Sequence, residues 1–168
     1  MVTALYFRVQ TGASGTSGLD LYARDERGGG GGGGTWRFVG TSVNVTDSAT
    51  TNTFTELPTP TSAGGVVQYM LYLPTYNGVS KLLLAHPPGT VLRNASRGTP
   101  RLGPVVWYGT SIAQGCAASR PGMAFTNQIG RALDCDFGFS ANGIMEPSVM
   151  TWLLQIKPVP SAFVIDCE

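Results

Sequence analysis

The segment VVQYMLYL at 66–73 alternates. Val67, Tyr69, Leu71 and Leu73 fall on one side, and Gln68, Met70 and Tyr72 on the other. That two-residue period predicts a β-strand. Asn77-Gly78 follows, between this run and KLLLA, and both residues tolerate positive φ, which predicts a hairpin. Trp36, Phe38, Val43 and Val45 mark two earlier β-like stretches. From Thr41 to Ser62, eleven of 22 residues are Ser or Thr. Threonine suits a strand and can still face water, so this stretch reads as β structure wetted by hydroxyls. An all-β sandwich over roughly the first 90 residues is the expected result.

The pattern changes after Pro87-Pro88 and RNASRGTPRLG at 93–103, a predicted linker. VVWYG at 105–109 reads as a short apolar strand, and Ser119 with Pro121 signals a helix start. Phe125, Ile129, Ala132 and Leu133 share one helical face. CDFGF at 135–139 is a second strand. Pro147 opens a helix bearing Val149, Leu153 and Ile156 on one face, Pro158 stops it, and AFVIDC at 162–167 is a third apolar run. A β-α-β-α-β order implies parallel strands with helices packed on the sheet. The expected fold class is therefore α+β, with an all-β domain over 1–92, a linker over 93–103 and an α/β domain over 104–168. Three such strands in the order 2-1-3, the order of the fold implied by the resemblance given below, would leave 162–167 as an open apolar edge. That predicts poor solubility, self-association or incomplete order.

Composition narrows the function classes. The chain has 168 residues and a net charge of +1, without the electrostatic footprint of a nucleic-acid or membrane-surface protein. No run approaches 18 apolar residues, so no transmembrane helix is expected. MVTALYFRVQ lacks the n- and h-regions of a signal peptide, which makes a cytoplasmic location the default and leaves the sequons at Asn44 and Asn94 without consequence. Cys116, Cys135 and Cys167 are odd in number and show no metal-ligand spacing; no metal and no cofactor are expected. Cys116 has no neighbouring His or Lys to activate it and reads as an inert thiol, with Cys135 and Cys167 as core. The seven-glycine tract Gly28–Gly34 lacks the spaced glycines and helix start of a phosphate loop, and reads as a flexible insertion between strands.

In parallel sheets, reactive residues gather at the carboxyl ends of the strands. Gly109-Thr110-Ser111-Ile112 and Ser140-Ala141-Asn142-Gly143 occupy those places. A serine there can present its hydroxyl in a cleft, its own N–H helping to bind an oxyanion, provided a base activates it. It can equally cap the turn or the coming helix. Both readings stand on position alone.

VVWYGTSIAQGCAASRPGMAF at 105–125 and FGFSANGIMEP at 137–147 together resemble a branch of the SGNH/GDSL hydrolases in which the first block reads G-T-S-I. GLDLY at 18–22 resembles the GxDLY signature of the β-sandwich that precedes this hydrolase domain, and TWRFVG at 35–40 and YMLYLPTYNGV at 69–79 fit the same domain. The resemblance implies a serine esterase with a flavodoxin-like three-layer α/β fold, acting on a small ester or acylated-carbohydrate substrate. It implies Ser111 as nucleophile and first oxyanion N–H, and places the second oxyanion N–H on Ala141, where relatives carry glycine. A methyl group there restricts φ and adds bulk at the hole. Gly109, Thr110, Asn142 and Gly143 take loop-shaping roles. Glu146 matches an acid common in the branch and suits a helix start.

The chain reaches Glu168 before the family's oxyanion asparagine and its late Asp and His, so a C-terminally truncated relative is expected, with at most feeble activity. The single histidine, His86, lies in the β half beside Pro87-Pro88 and reads as a surface turn residue. Two other classes remain in view. One is a non-catalytic carbohydrate- or protein-binding sandwich using Tyr72 or Tyr76, and the other a flavodoxin-like nucleotide binder using the GTSIAQG loop.

Overall fold

The structure, a computed structural model, describes residues 4–11, 18–26, 34–42, 50–60, 64–75, 79–95, 103–116, 118–134, 137–141 and 147–166. It divides into two compact units, Met1–Gly98 and Thr99–Glu168. The chain is mixed in secondary structure, with strands dominant.

The first unit holds six strands: β1 (Ala4–Thr11), β2 (Leu19–Glu26), β3 (Arg37–Ser42), β4 (Thr50–Thr55), β5 (Val66–Tyr72) and β6 (Val79–Ala85). They form two antiparallel sheets of order β4-β1-β6 and β3-β2-β5. Alternation divides the side chains of β2 between two buried faces. Leu19 and Leu21 of β2 meet Phe54 of β4 and Leu57 in one apolar core, with Val39, Tyr69, Leu71 and Val79 packed around it. The Thr-rich β4 reads as predicted: Asn52 and Phe54 are buried, while Thr51, Thr53 and Thr55 face water. On the opposite face of β2, Asp20, Tyr22 and Arg24 are also buried. Arg24 Nε donates to Gln68 Oε1 at 2.8 Å, and its guanidinium stacks 4.3 Å above the Trp36 ring.

The predicted hairpin at Asn77-Gly78 does not form. β5 pairs with β2 and β6 with β1, so the connection passes from one sheet to the other. Strict alternation marks a strand but does not identify its partner, and here β5 and β6 find theirs in different sheets. Tyr76, Asn77 and Gly78 themselves lie outside the described residues, as do Val43, Val45 and most of the glycine tract. At the tract's far end Gly34 N–H donates to Asp25 O at 3.0 Å, joining the end of β2 to the approach to β3. Arg93, at the start of the predicted linker, pairs with Glu26 of β2 at 3.0 Å.

The second unit is built on three parallel strands, β7 (Val105–Gly109), β8 (Phe137–Ala141) and β9 (Ala162–Ile165), in the order β8-β7-β9. Its helices are α1 (Ser111–Gln114), α2 (Phe125–Leu133) and α3 (Pro147–Leu153). Val106 and Tyr108 pack against Val149, Met150, Leu153 and Ile156 from α3 and the turn after it. Trp107, pointing the other way, meets Phe125 of α2 edge-on at 5.0 Å. α2 enters from a 3₁₀ turn at Pro121–Met123, and Asn127 Nδ2 donates to Pro121 O at 2.9 Å, tying the two together. Its predicted apolar face is only partly used. Phe125 and Ile129 are half-buried, whereas Ala132 and Leu133 are exposed, and Thr126 is the buried residue.

Candidate active site

β7 is the central strand, so whatever follows it emerges between its two neighbours. Gly109 ends the strand beside Ala141 of β8, its register partner. Thr110 is extended, with φ −85° and ψ −169°, and Ser111 is the first residue of α1. The chain thus turns from strand to helix across one residue. Three backbone bonds hold that turn: Gln114 N–H to Thr110 O at 3.2 Å, Gly115 N–H to Ile112 O at 3.0 Å and Cys116 N–H to Ser111 O at 2.8 Å. Gly115 closes α1 at φ 107°, a conformation that suits glycine. Ser111 is half-buried, Ile112 exposed and Ala113 fully buried.

Gly109 is fixed by space rather than by φ. A Cβ there would lie 2.9 Å from the Ala113 Cβ, 3.1 Å from the Asp166 Cβ and 3.3 Å from Asp166 O. Strand, helix and the residue after β9 converge on one Cα. Asp166 carries no motif that would single it out in the sequence. Its N–H donates to Tyr108 O at 2.8 Å, which carries the β7–β9 ladder one residue beyond the strand. The available signal was its position as the charge that ends an apolar parallel strand, where site residues gather.

Gly109, Thr110, Ser111 and the Ala141 backbone are therefore brought to one edge of the sheet. Asn142, Gly143 and Glu146 lie outside the described residues, as do Cys135 and Cys167. His86 is exposed in the first unit, with Nδ1 3.1 Å from Pro87 O. Cys116 is an exposed free thiol. Tyr72 packs edge-on against Tyr22, with ring centroids 5.6 Å apart. Among the described residues, no three His, Cys, Asp or Glu side chains gather as a metal site, and no helix is long and apolar enough to cross a membrane.

Comparison with known proteins agrees with this layout. Residues 7–92 match the model for the N-terminus of SGNH-hydrolase-type esterases, the GxDLY domain, and residues 103–168 match the GDSL-like lipase/acylhydrolase family. A solved structure described as a GDSL-like lipase from Bacteroides ovatus ATCC 8483 aligns over 99% of this chain and 48% of its own, with 27% identity and a TM-score of 0.73. A salicylyl-acyltransferase from a tetracycline biosynthetic pathway shares the fold, at 20% identity and a TM-score of 0.53, over 83% of this chain and 37% of its own. A search of curated proteins gives no match. The chain thus spans about half the length of the Bacteroides protein. By the GxDLY match, which covers just over half of its residues, and the hydrolase match that follows in order, the chain belongs to the SGNH/GDSL hydrolase family, in the branch with a GxDLY N-terminus.

Proposed function

We propose that Ser111 is the nucleophile of a carboxylic-ester hydrolase, presented by a flavodoxin-like α/β domain (104–168) that follows a β-sandwich (1–92). The observation carrying this reading is the strand-to-helix turn at Gly109-Thr110-Ser111. It puts a half-buried serine at the carboxyl end of the central parallel strand. The first N–H groups of a helix have no intrahelical acceptor, so the Ser111 N–H is available to an oxyanion. The Ala141 N–H is the second donor, from the strand paired with β7.

In the reaction, Ser111 Oγ adds to the ester carbonyl, its proton passes to a base, and the tetrahedral oxyanion is held by the two N–H groups. Collapse expels the alcohol and leaves an acyl-serine, which water then hydrolyses. The substrate class is a small ester or an acylated carbohydrate. No histidine lies between Thr99 and Glu168, so the second unit itself offers Ser111 no imidazole. With a triad member removed, enzymes of this kind retain about 10³–10⁴-fold acceleration over water. Residues 1–168 taken by themselves are therefore expected to hydrolyse esters slowly.

Hydrolysis of p-nitrophenyl acetate by the chain and by Ser111→Ala tests this. Slow turnover that the alanine variant lacks is expected. Equal rates for both proteins would remove Ser111 as nucleophile. A serine-dependent kcat in the ordinary enzyme range of about 1–10³ s⁻¹ would instead show that the chain supplies its own base.

A further inference from the structure

We propose, on the reading that Ser111 is the nucleophile, that Asp166 sets the charge selectivity of its site. Cationic esters react faster there than neutral ones, and neutral ones faster than anionic. Ile165 of β9 pairs with Tyr108 of β7, and the Asp166 N–H donates to Tyr108 O at 2.8 Å. Asp166 therefore stands level with Gly109, the last residue of the central strand.

Alternation fixes which face of the sheet carries the carboxylate. Val106 and Tyr108 pack toward α3, so a side chain at 109 would point to the opposite face. The place of its Cβ is 2.9 Å from the Ala113 Cβ of α1 and 3.1 Å from the Asp166 Cβ. Asp166 is thus rooted on the α1 face, against the helix that begins with Ser111. Ser111 follows Gly109 by two residues, a span of at most roughly 7 Å.

The elements that converge here bring no other charge. The strands β7, β8 and β9 and helix α1 contain no Lys, Arg, His, Asp or Glu. Along the chain, the first charged residue after β7 is Arg120 and the first after β8 is Glu146, whereas Asp166 directly follows β9. The carboxyl ends of the strands thus carry a fixed negative charge beside the nucleophile. A carboxylate roughly 10 Å from a substrate charge changes its reaction rate about two- to fifteenfold, according to how well water screens the pair. It attracts a cationic acyl or alcohol group, repels an anionic one and leaves a neutral one unaffected. Its effect on Ser111 itself is common to all three and cancels from their ratio.

Three arylsulfonyl fluorides that differ at the para position, bearing an aminoethyl cation, a methyl group or a carboxylate, read this ratio. With each, Ser111 Oγ bonds to sulfur, fluoride leaves and the hydroxyl proton passes to buffer. The adduct at Ser111 is timed by mass spectrometry at low salt. Labelling in the order cation, neutral, anion is expected. The cation-to-anion ratio should be about tenfold smaller in Asp166→Asn and retained in Asp166→Glu. Added salt should shrink the wild-type ratio toward that of Asp166→Asn. The same ratio in wild type and Asp166→Asn would overturn the proposal, as would a fall in all three rates by one factor, which marks a structural role. No labelling of Ser111 by any of the three would overturn the nucleophile as well.

Discussion

Gly109 sits where Asp166 leaves no easy room for a side chain. The position a Gly109 Cβ would take is 3.1 Å from the Asp166 Cβ, and 2.9 Å from that of Ala113 on the other flank. The distance to Ala113 is shorter than packed carbon atoms show and that to Asp166 is tighter than most, and neither neighbour is the far end of a flexible chain. The step from β7 into α1 depends on this missing methyl group. Gly109→Ala should destabilise the second unit by about 1–3 kcal/mol, the usual range for overpacking. Ala113→Gly removes the closer of the two obstacles, so the double variant should lose less than the sum of the single losses. Urea unfolding of the four proteins checks this, and additive losses would place the strain elsewhere.

Arg24 is a second point where exchange should be costly. It is buried, bonded to Gln68 and stacked on Trp36. Lysine keeps the charge but loses the planar fork and the stacking, so Arg24→Lys should cost about 1–3 kcal/mol. A urea midpoint indistinguishable from wild type would show that the charge alone matters.

Tyr69 should make the first unit sensitive to alkali. Burial raises its pKa above the ordinary tyrosine value of 10.0. Up to that value the hydroxyl is protonated in both folded and unfolded chains, and its contribution to stability is constant. Above it the unfolded chain loses the proton first, so stability falls as pH rises toward the folded pKa. Tyr69→Phe removes this ionisation, along with a 3.4 Å bond to Pro58 O. Denaturation measured on both sides of pH 10 should show a smaller alkaline loss in the phenylalanine variant. Equal losses would mean that other tyrosines carry the effect.

Much of the secondary structure was legible because burial imposes a period. Tyr69 and Leu71 point into the core as the alternation of 66–73 requires, and Val149, Leu153 and Ile156 pack on the sheet as their spacing requires. That β7, β8 and β9 run parallel follows from strands alternating with helices. Partner choice was not legible. Asn77-Gly78 signals a turn, but whether β5 and β6 pair with each other depends on the sheets they face, and that information is not local. The place of Ser111 after a parallel strand was legible, because strands that alternate with helices run parallel. Asp166 was not, because its closeness to Gly109 arises only when β9 docks beside β7.

The central claim is that Ser111 forms the covalent intermediate, and mass mapping of a serine-directed adduct tests it most directly. The chain is incubated with diisopropyl fluorophosphate, whose phosphorus takes the place of the ester carbonyl and whose fluoride leaves, and its peptides are sequenced by mass spectrometry. The account predicts a slowly formed phosphoryl adduct on Ser111, and its absence from Ser111→Ala. No adduct at Ser111, or equal labelling of the alanine variant at another residue, would contradict it.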